Sequence, residues 1–126
     1  MLHPKLDRYL TDIEYLINQM QDLYVENYQE EILTPQRCNL RIRIRFIVGH
    51  LLALNEAIVI VDSNLKFLDY RYHFQDGSNQ LIFRYDNTPH FPNLPTAPHH
   101  KHLPEGAIAS HKPTIATVFE EVRSIL

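Results

Sequence analysis

The sequence predicts an α+β fold: a long N-terminal helix and a C-terminal helix packed on a four-stranded antiparallel meander, with a Pro/His-rich arm. Three observations lead there. Apolar residues recur at three- and four-residue spacing near both ends, alternate with polar residues through the middle, and lose any period between residues 88 and 113. With no internal repeat, 1–126 reads as one domain, divided into helix 1–28, sheet 37–87, arm 88–113 and helix 114–126.

Leu6, Tyr9, Leu10, Ile13, Leu16, Ile17, Met20, Leu23 and Tyr24 form one apolar stripe, which places a helix over roughly 4–27, with Pro4 tolerated in its first turn. From Asn39 the period falls to two. "LRIRIRF" puts Leu40, Ile42, Ile44 and Phe46 on one face and Arg41, Arg43 and Arg45 on the other. "LLALNEAIVIV" reads as an interior strand, and "LKFLDYRYHFQ" and "QLIFRYD" alternate again. Short breaks at "VGHL", "DSN" and "DGSN" imply hairpins. A tip at Gly77-Ser78 sets Arg71 opposite Arg84 and Asp69 opposite Asp86, while a tip at Gly49-His50 sets Arg43 opposite Glu56. Thr114 is placed to cap the last helix, whose stripe is Ile115, Val118, Phe119, Val122, Ile125 and Leu126.

Composition narrows the function classes. No apolar run approaches the length of a membrane span, and "MLHPKLDRYL" lacks a signal peptide's apolar centre, so a cytoplasmic protein without membrane contact is expected. A single cysteine, Cys38, excludes an internal disulfide and reads as a buried or bystander thiol. The net charge of −3 argues against a general nucleic-acid coat but leaves room for a small basic cleft. Residues 1–31 hold seven acids against Lys5 and Arg8, so the rest of the chain is mildly basic.

The chemistry lies on the polar sheet face and in the arm. Arg41, Arg43, Arg45, Arg71 and Arg84 alternate with core residues, accompanied by His73. Arginine suits bidentate phosphate recognition, and histidine exchanges protons near neutral pH. The bland alternative is a solvent-facing sheet laced with ion pairs to Glu56, Asp69 and Asp86. "RYDNTPHFPNLPTAPHHKH" (84–102) holds four of the eight histidines and four of the eight prolines. Prolines stiffen an extended arm, which could carry His90, His99, His100 or His102 across the sheet. A metal site is the rival reading, but zinc-ligand spacing is absent, and His-x-His puts only two rings on one side of a strand.

Residues 70–102, "YRYHFQD…LIFRYDN-PH-P-LPTAPHHKH", resemble the signature block of the TumE family of bacterial toxins, and the similarity extends over about 37–125. The resemblance implies a growth-inhibiting toxin acting on RNA and neutralised by a cognate antitoxin protein. The matching positions are Tyr70, Arg71, Tyr72 and His73, then Arg84, Tyr85, Asp86, Asn87, Pro89 and His90, then His99, His100 and His102.

The expectation is therefore the toxin of a toxin–antitoxin pair, a metal-independent ribonuclease without a cofactor. Arg71 and Arg84 hold phosphate, His73 and a histidine from 99–102 exchange protons, and Asp86 orients a histidine or Arg84. Asn87 and His90 fix the arm, while Tyr70, Arg41, Arg43 and Arg45 complete a substrate surface. A non-catalytic module binding RNA or a partner protein, and a metal-dependent phosphodiesterase using the histidine cluster, are the alternatives. Oligomeric state stays open.

Overall fold

A computed structural model describes residues 1–126. The chain runs α1 (Pro4–Gln19), β1 (Leu23–Thr34), β2 (Arg37–Phe46), β3 (Leu51–Val61), β4 (Asn64–Gln75), β5 (Leu81–Asp86), β6 (His100–Leu103), β7 (Gly106–Ala109) and α2 (Ile115–Ile125). The strands form one seven-stranded antiparallel sheet in sequence order. The α+β pairing of helices and sheet holds, but the expected four strands are seven.

Each missed strand has a local cause. The first helix ends at Gln19 rather than near 28, and Asp22, with φ of 62°, turns the chain into β1. The apolar residues Leu23 and Tyr24 belong to that strand, not to the helix stripe. The arm also gains structure: from His100 it becomes the β6–β7 hairpin on the free edge of β5. Residues 91–99 are not extended either. Backbone bonds from Leu94 to Phe91, Ala97 to Leu94 and His99 to Thr96 fold them into successive turns.

The core fills the side of the sheet that carries both helices. Leu6, Leu10, Ile13 and Ile17 of α1, and Ile115, Val118, Phe119 and Val122 of α2, pack with Ile42, Ile44, Leu54, Tyr72, Phe74 and Phe83. Thr114 caps α2 by accepting from the Thr117 N–H, as expected. Burial of Cys38 pushes its thiol up to about 11, which leaves it inert at neutral pH.

Two registers differ from expectation. The β4–β5 turn is wider than two residues, so Arg71 pairs with Asp86 and His73 with Arg84. That shift is by two, and the faces survive it. In β2–β3 the parity itself changes: Arg43 pairs with Ala53, and Glu56 pairs with Leu40 on the helix side. Glu56 is therefore buried rather than part of the polar face. Tyr9 donates to both of its oxygens at 2.7 and 2.9 Å, and Tyr72 donates to one of them. No helix is long and apolar enough to cross a membrane.

Candidate functional site

The face turned away from the helices collects polar side chains from three neighbouring strands. β5 is the axis of this group. Arg84 and Asp86 point outward between the core residues Phe83 and Tyr85, because successive side chains of a strand alternate. On one side β4 sets Arg71 beside Asp86 and His73 beside Arg84. On the other, β6 sets His100 beside Asp86 and His102 beside Arg84. Six of the expected site residues thus share one face: Arg71, His73, Arg84, Asp86, His100 and His102.

Lys101 fixes the orientation of β6. Its side chain passes to the core face, where it forms a 2.6 Å ion pair with Glu121 of α2 and lies over the Tyr85 ring. Tyr85 donates to the other oxygen of Glu121. With Lys101 held inward, the pleat directs His100 and His102 outward. Sequence reading assigned Lys101 no role; its alternation between the two histidines was the available signal.

The histidine–aspartate cluster is tight. His100 Nε2 lies 3.0 Å from Asp86 Oδ1 and 3.0 Å from His102 Nε2, which in turn lies 3.4 Å from Asp86 Oδ2. His100 Nδ1 donates to the Pro98 carbonyl at 2.9 Å. Asp86 Oδ1 also accepts from the Thr88 N–H. Asp86 and His100 are buried, His102 is half-buried, and the Phe91 ring meets both imidazoles edge-on. Desolvation is the largest influence on His102 and, with the charges of His100 and Arg84, outweighs Asp86 to hold its pKa below the usual histidine value.

Beside the cluster, Arg84 Nε donates to His73 Nδ1 at 3.1 Å, and His73 Nε2 meets Gln75 Oε1 at 2.8 Å. Burial, followed by the charges of Arg84 and Arg71, outweighs Gln75 and lowers the His73 pKa. Arg71 is exposed at the edge of an open hollow of about 680 Å³, whose rim includes Arg41, Asn55, Asp69, Asn87 and Thr88.

The remaining expected residues lie outside the cluster, although Arg41, Arg43 and Arg45 share its sheet face across β3. Arg43 and Arg45 share Glu26 of β1, at 2.8 and 3.1 Å, and hold its carboxyl below the ordinary range. Tyr70 is in the core, and His99 stacks on it with Nδ1 2.9 Å from its hydroxyl, away from the polar face. Asn87 ties β5 to β4, accepting from the Tyr70 N–H and donating to the Leu68 carbonyl. His90 sits exposed in the first turn after β5.

Neither a curated protein nor a solved structure matches this sequence. A family model described as Toxin TumE matches residues 13–126, from within the first helix through the polar face to the last residue. A match of that extent includes every strand that builds the cluster, and the chain belongs to the TumE family of toxins.

Proposed function

We propose that this chain is the growth-inhibiting member of a toxin–antitoxin pair and that it cleaves RNA on the polar sheet face. A single observation carries the reading: Arg84 and Asp86 on β5 are flanked by Arg71 and His73 on one side and by His100 and His102 on the other. Positive charge for a phosphate and groups able to move a proton thus lie within one strand spacing of each other. A cognate antitoxin is the protein partner that membership of a toxin family implies.

In the metal-independent form of the reaction, Arg71 and Arg84 face the phosphate as it gains negative charge. His102, the more exposed ring of the cluster, takes the ribose 2′-hydroxyl proton while Asp86 orients it. The 2′-oxygen–phosphorus bond forms, the phosphorus–5′-oxygen bond breaks, and the leaving oxygen takes a proton from water. His100 and His73 act as positioning residues, since both nitrogens of each ring are already engaged. A second reading, a metal-dependent phosphodiesterase, is favoured by the convergence of the Asp86, His100 and His102 ligand atoms within 4.8 Å of one another.

The test is cleavage of end-labelled RNA by the purified full chain. Strand breaks expected from the wild type should vanish in His102→Ala and Arg84→Ala. Intact RNA with the wild type, under conditions where the same preparation arrests growth when expressed, would overturn the reading in favour of a binding module.

A further inference from the structure

We infer that Asp86, His100 and His102 hold one divalent ion of the zinc class. The site itself goes beyond the reading of RNA cleavage; its catalytic use rests on that reading.

Electrostatics point to a missing positive charge. The Pro98 carbonyl can only accept, so His100 carries its neutral-form proton on Nδ1 and turns the lone pair of Nε2 into the cluster. That lone pair faces a carboxylate oxygen at 3.0 Å, and the same carboxylate faces His102 Nε2 at 3.4 Å. One proton on His102 can satisfy the 3.0 Å contact between the rings, yet it leaves the contact between His100 and Asp86 as acceptor against acceptor. Either a further proton or a metal ion must supply the charge.

The geometry also suits a metal. Four-coordinate zinc binds nitrogen and oxygen at about 2.0 to 2.2 Å, which sets neighbouring ligand atoms on a tetrahedron about 3.3 Å apart. Here the two ring nitrogens lie 3.0 Å apart and 3.0 and 3.4 Å from Oδ1 and Oδ2 of Asp86 respectively, with one ligand atom from each residue within 4.8 Å of the others. Two imidazoles and one carboxylate suit zinc, cobalt(II), iron(II) or manganese(II) rather than calcium or magnesium, which prefer oxygen. The outer contacts also fit. Pro98 holds the His100 tautomer, the Thr88 N–H holds an Asp86 oxygen, and Phe91 shields both rings. Three protein ligands leave a fourth position for water or a phosphate oxygen, on the face where Arg84 stands. In RNA cleavage a metal-bound water would then replace His102 as the base.

The experiment is zinc titration of tag-free full-length protein, freed of metal by a chelator and followed by calorimetry, with cobalt(II) absorption as a second probe. One ion per chain should bind and raise the melting temperature. Asp86→Asn and His102→Gln should weaken binding by more than about tenfold, the effect that outer-shell partners alone can produce. Circular dichroism should report an unchanged fold. His100 is buried and its substitution can unfold the chain, so the more exposed His102 decides. Absence of stoichiometric binding, or equal affinity in folded His102→Gln, overturns the site. RNA cleavage is scored separately. Metal bound without cleavage supports the site and overturns the RNA reading; cleavage by a chain that binds no metal overturns the site alone.

Discussion

Arg84 donates its Nε–H to Nδ1 of His73 across the β4–β5 pair, at 3.1 Å. Guanidinium has no acceptor, so Nδ1 must carry the lone pair and Nε2 the proton, which is donated to Gln75. His73 is thus a neutral imidazole that aims an arginine. His73→Ala should lower RNA cleavage about tenfold, the equivalent of roughly 1.4 kcal/mol, with the melting temperature nearly unchanged. His73→Asn, whose amide oxygen can accept from Arg84, should recover most of that loss. Equal defects in both variants would return His73 to a direct role in proton exchange.

The arginines make a separate prediction. Arg71→Ala and Arg84→Ala should each relieve growth arrest while the protein stays folded. Losing one phosphate contact should cost about 3 kcal/mol at the transition state, on the order of a hundredfold in rate. By contrast Arg43→Ala should keep its toxicity, because Arg43 is already committed to Glu26. Growth curves of cells expressing each variant, with soluble protein quantified in parallel, decide the matter.

Lys101 offers a test of positioning from the opposite face. Lys101→Ala removes the partner of Glu121 and should destabilise the chain by about 1 to 2 kcal/mol, between the values typical of exposed and buried pairs. Amide exchange in residues 100–103 should quicken more than in β2 or β3. Uniform acceleration across the sheet would show that the pair supports global stability rather than the orientation of β6.

Glu56 predicts a pH dependence. Desolvation raises its carboxyl above the ordinary range, against the lowering influence of Tyr72, Tyr9 and Lys112. A carboxyl with a raised native pKa contributes its full stability below the unfolded value of about 4.3, and loses it as pH rises through the folded value. Glu56→Gln should remove that loss. Urea midpoints of wild type and variant should diverge in the variant's favour from acid towards neutral pH, and parallel curves would refute the assignment.

The middle of the molecule was legible because β2 to β5 alternate over most of their length, with register shifts only at Ala57/Ile58 and Phe74/Gln75. The pairing of Arg71, His73, Arg84 and Asp86 on one face followed from that alternation, even with the register off by two. β1 was not legible. Most of its residues are exposed, so its side chains carry no inside–outside pattern, and the apolar spacing of α1 runs on into Leu23 and Tyr24. The four-residue strands β6 and β7 are too short to show a period among prolines, although His100 and His102 flanking Lys101 hinted at one. Glu56 shows the cost of a wrong parity. A register error of three residues, an odd number, placed a core carboxyl among the arginines.

Strand alternation also sets which insertions and deletions this gene can tolerate. Asp86 and Arg84 reach the cluster only through the pleat of β5, and His100 and His102 only through that of β6. One codon added between Arg84 and Asp86, or between His100 and His102, would turn one of the two towards the helices and drive Tyr85 or Lys101 out of place. The turns at 91–97 have no such parity to keep, and lengthening a loop adds little closure entropy. A single-codon insertion scan read by growth should therefore give two narrow intolerant windows around β5 and β6, separated by a permissive stretch.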